Sequence, residues 1–460
     1  MRKIIICMDG TGNEVGDKET NVLKLYKALK KDDAQVCHYV PGVGTMDNQR
    51  MFGRLTQRVK AVMGLAFGLG LEDDVLDAYR FLATTYKSAE VQAAEAGSKS
   101  RDSFQDDRIY IFGFSRGAYA ARVLAGFIHN FGLVPPDRLH MITQVFRAYR
   151  RVTNAEKGED PDKVFQSLRE YEHVMDPDRG VPIRFLGLYD TVSSMIRLPI
   201  LRGDLRTIYR EGSLLEYGTH ANVNQNCSVR IVRHALAVDE RRSMFRPQVW
   251  QPGPYYGNRF KRGTEKTQFV EQRWFAGYHS DIGGSPPEDE SGIGKITLLW
   301  MLDELKAAEE AADAEDAAIR KSAGKRALPL AARFTPGLEL KRGAMKNYLT
   351  GENGKKTPGG LPYCGPDPMA PIHNSIRGTD WKPKGIWFWA LFEFLPKCIT
   401  RRTWSPGPFI LRRGIIWFLP MFEPRVIPDD HSLDPSLLTR RDKDPDYDPP
   451  NLRARTGQSG

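Results

Sequence analysis

Cysteine is scarce and poorly placed for a covalent framework. The 460-residue chain has five, Cys7, Cys37, Cys227, Cys364 and Cys398. They are odd in number, scattered and without C-x-x-C spacing, so neither a disulfide scaffold nor a zinc site is indicated, and a reducing compartment suits them. No uninterrupted apolar run reaches the roughly 20 residues of a membrane-spanning helix. The opening MRKIIICMDGTGN does not fit a cleaved leader, because its apolar run, Ile4 to Met8, is short and meets an aspartate at once. A cytoplasmic location is the default expectation, peripheral contact with a membrane is compatible with it, and export by a leaderless route stays open. Internal repeats are absent, which sets aside solenoids and propellers. The charge excess is only +10. That is enough to favour anionic surfaces, but solubility explains it equally well.

What is present is a core-forming composition: 41% hydrophobic against 27% charged residues, which excludes global disorder. KIIICMD reads as a buried strand, NVLKLYKALKK as a helix with Val22, Leu23, Tyr26 and Leu29 on one face, and VCHYV as a second strand. A glycine-rich GLAFGLGLEDD opens the next helix, which carries Val75, Tyr79, Leu82 and Tyr86. IYIFGFS is the third strand, and PIRFLGLYD, SVRIVRHALAVD and QRWFAGYHS are three more. Alternating strand and helix predicts a mostly parallel sheet covered on both faces. Residues 137–180 read as a helical insertion over the sheet edge, of the kind that can close over a site. We expect a catalytic domain over 1–310 and a charged, alanine-rich helical extension or linker over 311–345. A C-terminal extension over 346–460 either packs on the catalytic domain or contacts membrane. Within it, 381–428 interleaves Trp387, Trp389, Trp404 and Trp417 with arginine pairs, as interfacial anchors do. The arginines match no nucleic-acid-binding motif, so no nucleic-acid partner is expected.

The chemistry centres on GFSRG. Gly113-Phe-Ser115-Arg-Gly117 follows an apolar strand and precedes the helix former AYAARVLAGFI. This is the strand–turn–helix setting in which G-x-S-x-G presents a nucleophilic serine. Such a serine needs a base, an acid that orients the base, and donors for the oxyanion. His279 ends a strand and is followed by the flexible SDIGG, making it the best base. His234 lies inside a strand pattern, and His431 is a distant rival. Asp190 ends RFLGLY and is the favoured acid. Asp239 ends the next strand and is the alternative, otherwise expected in a salt bridge with Arg241 or Arg242. Asp281 lies too close to His279 in sequence to come first. The oxyanion donors expected are the backbone N–H of Arg116 and one from the turn Asp9-Gly10-Thr11-Gly12, with Thr11 or Gly12 donating and Asp9 bracing the loop.

One chemical rival starts from MDGTGN, which resembles the Asp-x-Asp-Gly-Thr of haloacid dehalogenase phosphatases. Here Cys7 stands where their nucleophilic aspartate belongs, which removes the nucleophile. A rival of another kind is a non-catalytic membrane-associated or interaction protein built on the same scaffold.

DGTGN, PGVGT, AFGLGLEDDVLDAYRFL, GFSRGAYAAR, LYDTV, HALAVDERRSMFRP and WFAGYHSDIGG follow one another across residues 1–301. Together they resemble the α/β-hydrolase family of the type VI secretion phospholipase effectors and their uncharacterised relatives. The C-terminal HSLDPSLLTRR and YDPPNL resemble that family's ending less strictly. The resemblance implies an α/β-hydrolase-like fold and ester hydrolysis with lipid or phospholipid as substrate, while the serine chemistry read from the residues calls for no cofactor or metal. It gives the catalytic roles to Ser115, Asp190 and His279.

Overall fold

The protein is described by a computed structural model. The residues described are 1–10, 19–42, 70–98, 104–155, 161–192, 196–197, 216–217, 220–261, 264–324, 335–374, 393, 397–399, 409–412, 415–418 and 422–452.

The main sheet comprises β1 (Lys3–Met8), β2 (Gln35–Val40), β3 (Arg108–Phe114), β4 (Ile183–Tyr189), β5 (Val229–Ala237), β6 (Phe269–Phe275) and the two-residue β7 (Ser432–Leu433). Their spatial order is β7-β6-β5-β4-β3-β1-β2, and every pairing is parallel. This is an α/β fold of the α/β-hydrolase type. The six long strands coincide with the six apolar runs of the sequence, as expected for strands buried on both faces.

Alternation within the strands divides the core. Ile4, Ile6, Ile109 and Ile111 point to one face, and Ile5, Cys7, Tyr110 and Phe112 to the other. On the first face pack α2 (Leu71–Thr85), α4 (Arg116–Phe131) and the pair α5 (Ile142–Ala155) and α6 (Pro161–Met175), through Val75, Tyr79, Phe127, Phe146 and Leu168. On the second lie α1 (Asn21–Ala28) and α8 (Gly292–Ser322), through Val22, Leu25, Leu298 and Met301. Each such large side chain, wholly withdrawn from water, contributes about 1.5–3 kcal/mol. Two short helices complete the set used below, α3 (Ala89–Glu95) and α7 (His279–Ile282).

Helix α8 differs from its reading as a helix with a solvated or linking tail. It runs unbroken from Gly292 to Ser322, so the expected division at residue 310 falls inside it. Its acidic second half crosses the amino ends of the strands. There Arg108 meets Glu309 and Asp313 at 2.7 Å, Arg184 meets Asp313 at 2.7 Å, and Arg230 meets Glu315 at 2.5 Å. Among the described residues no helix is long and apolar enough to cross a membrane. Most of 381–428, including Trp387, Trp389 and Trp404, lies outside the described residues. Three short antiparallel strands (Lys397–Ile399, Phe409–Arg412, Ile415–Phe418) are described from that stretch.

Candidate active site

Open parallel sheets place their chemistry at the carboxyl ends of the strands, and here β3, β4 and β6 deliver one polar residue each to that edge. Ser115 follows β3 directly, with φ 57° and ψ −120°. An L-residue occupies that region only when its surroundings impose it, at a cost of roughly 1–3 kcal/mol. The surroundings are tight. A Cβ on Gly113 would lie 2.6 Å from the backbone of Ala118, and one on Gly117 would lie 2.3 Å from the carbonyl oxygen of Met8. The two glycines therefore let α4 turn back against β1 within a residue of the strand end. The Ser115 N–H donates to the Tyr189 carbonyl at 3.0 Å, tying the turn to β4.

Asp190 follows β4 and also has positive φ, 39°. His279 opens α7 just beyond β6. The three meet: His279 Nε2 is 2.7 Å from Ser115 Oγ, and His279 Nδ1 is 2.6 Å from Asp190 Oδ2. The imidazole packs against the rings of Phe114, tilted by 30°, and Phe245, edge-on, each with its centroid 4.9 Å away. Its backbone N–H faces Glu240 Oε2 at 3.4 Å. Ser115 retains 7% of its surface and His279 6%, while Asp190 has none. The serine and imidazole thus sit at the floor of the strand edge, and the carboxylate sits behind them.

Asp190 is held by four donors. Oδ1 accepts from the Ala237 N–H at 3.1 Å and from Arg425 Nη1 at 2.6 Å, and Oδ2 faces His279 and Arg425 Nη2, the latter at 3.0 Å. Burial pushes this carboxyl up, but the Arg425 guanidinium and the imidazole outweigh burial and hold it well below the usual carboxylate range. Arg425 is a site residue that the sequence reading missed. No local pattern marks it, because its partner lies 235 positions earlier.

Asp239, the alternative acid, does not contact His279 Nδ1. Its Oδ2 accepts from the Gly277 N–H at 2.6 Å and from Tyr447 Oη at 2.8 Å. The salt bridge expected between Asp239 and Arg241 or Arg242 is corrected as well. Arg242 pairs with Glu240 at 2.7 Å, because the Glu240 side chain turns back over its own loop while Asp239 is claimed by the β6 end. Asp281 accepts from the Tyr278 N–H at 2.8 Å and from His373, capping α7.

The rival histidines have other partners. His234 is buried in β5, with Nε2 accepting from the Thr191 N–H at 3.1 Å. His431 contacts Trp274 Nε1 at 3.0 Å and Gln272 at 2.9 Å. Cys7 is fully buried within β1.

For the oxyanion donors, Arg116 is the first residue of α4, in the turn whose N–H groups lie outside the helix's own ladder. Asp9, just after β1, accepts from the Gly10 N–H at 2.6 Å, Thr20 Oγ1 at 2.6 Å and Tyr39 Oη at 2.8 Å. Thr11 and Gly12 lie outside the described residues.

The turn after His279 is anchored from α1. The Asn21 side chain donates to the Ile282 carbonyl at 3.1 Å and the Asn21 backbone N–H to the Gly283 carbonyl at 2.8 Å. Lys24 donates to the Gly284 carbonyl at 3.0 Å. A Cβ on Gly284 would fall 2.2 Å from Asn21 Oδ1, so the glycine is what lets the turn approach.

Residues 2–304 match the model of the type VI secretion system (T6SS) phospholipase effector Tle1-like catalytic domain. The chain belongs to this Tle1-like family. The chain is also 30% identical over 261 residues to the uncharacterized protein YEL023C of Saccharomyces cerevisiae. That alignment covers 55% of this chain and 33% of the yeast protein, so the chain spans about a third of the length of the curated relative it matches. Among solved structures, an uncharacterized protein from Pseudomonas aeruginosa has a TM-score of 0.34 at 20% identity, covering 68% of this chain and 46% of the other. A Tle1 effector bound to the VgrG spike of a type VI secretion system has a TM-score of 0.29 at 16% identity, covering 61% and 50%. At such scores neither likeness adds to what the Tle1-like chain's own strand order says about its fold.

Proposed function

We propose that this chain is a serine esterase acting on acyl esters of lipids or phospholipids. The observation that carries the reading is the continuous line of contacts Ser115 Oγ–His279 Nε2, 2.7 Å, and His279 Nδ1–Asp190 Oδ2, 2.6 Å. Phospholipids are the preferred substrate class because the family carries that activity in its name.

In the mechanism, a bound ester presents its carbonyl carbon to Ser115 Oγ. His279 Nε2 takes the serine proton as the C–O bond forms, and Asp190 accepts the Nδ1–H and stabilises the imidazolium. Negative charge then gathers on the carbonyl oxygen, where the Arg116 N–H and an N–H of the loop through Thr11 and Gly12 receive it. His279 returns the proton to the departing alcohol, leaving an acyl-Ser115. Water deprotonated by the same imidazole releases the fatty acid and restores the serine.

The test is product analysis on phospholipid vesicles and on a soluble short-chain ester, with and without EDTA. Free fatty acid and lysolipid should appear, EDTA should leave the rate unchanged, and Ser115→Ala should abolish it. Release of the phosphorylated headgroup, or a rate that survives in Ser115→Ala, would refute the reading.

A further inference from the structure

We propose that Arg425, from the C-terminal segment outside the family-matched region, is a positioning residue that locks the Asp190 carboxylate in place for His279. The role rests on the Ser115–His279–Asp190 reading above and extends it beyond residues 2–304.

A carboxylate offers about four lone-pair sites, and at Asp190 each oxygen has two partners. The two nitrogens of one guanidinium bridge both oxygens, at 2.6 and 3.0 Å. With the Ala237 N–H on Oδ1, they leave a single direction on Oδ2, and the imidazole occupies it. The carboxylate therefore cannot rotate without breaking a charge-assisted bond, and the orientation of the imidazole follows from its own. A planar two-pronged donor suits this task, whereas an ammonium would reach one oxygen well and the other poorly.

Arg425 is itself fixed. Nη1 donates to the Ala237 carbonyl at 3.0 Å and Nη2 to the Phe245 carbonyl at 2.5 Å. The chain on either side is tethered as well. The Phe422 N–H donates to buried Glu393 at 3.1 Å, and Glu393 also accepts from Ser243 Oγ at 2.6 Å. His431, six positions on, is bonded to Trp274 at 3.0 Å. The guanidinium has 4% of its side chain exposed and the carboxylate none, so neither charge can be replaced cheaply by water.

Among the described residues, the charged or titratable groups near this pair include buried Glu393, held by Ser243 and the Phe422 N–H. Glu240 on the loop after β5 already holds Arg242 at 2.7 Å. His234 on β5 is buried, with Arg122 of α4 3.3 Å away. His279 faces the pair from α7. Removing Arg425 would leave burial as the dominant influence on Asp190, so the carboxyl would take up its proton at a higher pH and stop accepting from the imidazole.

The experiment compares the full chain with Arg425→Met and Arg425→Lys, reading kcat and KM against pH on a soluble ester, together with thermal unfolding. For folded Arg425→Met we expect kcat to fall on the order of 100-fold, less than the roughly 10⁴-fold of losing the acid's function outright. KM should be nearly unchanged, and the acid limb should move toward neutral pH. Arg425→Lys should keep the acid limb near its wild-type position while recovering only part of kcat. A folded Arg425→Met with wild-type kcat and an unmoved acid limb overturns the proposal. If that variant does not fold, Arg425→Lys decides: a lowered kcat supports the role and an unchanged one refutes it. Activity that survives Ser115→Ala in a chain with Arg425 intact would instead bring down the serine reading itself, so the two failures are told apart.

Discussion

Asp190 Oδ2 stands 2.6 Å from His279 Nδ1, whereas Asp239, at the end of the adjacent strand, spends its carboxylate on the Gly277 N–H and Tyr447. Both residues end apolar strands and both look like acids of a hydrolase. The difference lies in their partners: after β4, Asp190 takes positive φ and its carboxylate meets His279, whereas the carboxylate of Asp239 is taken up by the end of β6 and by Tyr447. Asp190→Asn should therefore lower kcat/KM by roughly 10³–10⁴-fold, through loss of imidazole orientation and charge. Asp239→Asn should stay within several-fold of wild type. Steady-state kinetics on a soluble ester checks the pair, and the reverse ranking would move the acid to Asp239.

Asp239 should reveal itself in stability instead. Burial pushes its carboxyl up to about 6, against the pull of the Gly277 N–H and Tyr447 bonds. A folded-state value above the unfolded one means its contribution is fully present below about pH 3.9 and is lost as pH rises through about 6. Asparagine has no charge to bury. Asp239→Asn should thus gain stability relative to wild type between pH 5 and pH 8, on the order of 1–2 kcal/mol, the side chain being only partly withdrawn from water. Thermal melts at pH 5 and pH 8 test this, and a variant that loses stability relative to wild type on going from pH 5 to pH 8 would contradict it.

Gly117→Ala probes the turn that carries Ser115. The new methyl would sit 2.3 Å from the Met8 carbonyl oxygen and 2.4 Å from that of Asp9, both backbone atoms with nowhere to go. We expect a loss of about 3 kcal/mol or more, or relaxation of the strand–helix spacing with loss of activity. Denaturant unfolding combined with an activity assay distinguishes the two. A fully active variant of wild-type stability would show that the turn is looser than described.

Glu288→Gln should destabilise the fold strongly. Glu288 has no exposed surface and bridges two equally buried lysines, Lys24 at 2.7 Å and Lys295 at 2.6 Å. Removing its charge leaves two buried ammonium groups facing each other, a change that typically costs 3–5 kcal/mol. Because Lys24 also holds the Gly284 carbonyl, activity should fall with stability. A urea midpoint unchanged from wild type would refute the expectation.

The strands were legible because a parallel strand covered on both faces must be apolar throughout, and KIIICM, RIYIFGF and IRFLGLY are nearly so. The serine turn was legible because Gly113 and Gly117 answer to steric limits that act within a few residues. The choice between Asp190 and Asp239 was less so, since it depends on which carboxylate a distant histidine meets. The acidic half of α8 read as solvated because its partners, Arg108, Arg184 and Arg230, sit at the starts of three strands far away in sequence. Arg425 was invisible for the same reason. An arginine among prolines and aromatics carries no local sign that a buried carboxylate awaits it.

The central claim is that Ser115 is made nucleophilic by His279. The most direct measurement is labelling of the full chain with a fluorophosphonate, followed by peptide mapping, in wild type and in His279→Ala. The phosphonyl group should be found on Ser115 in the wild-type protein and be lost from it in the variant. Labelling at a different serine, or undiminished labelling of Ser115 without His279, would contradict the account.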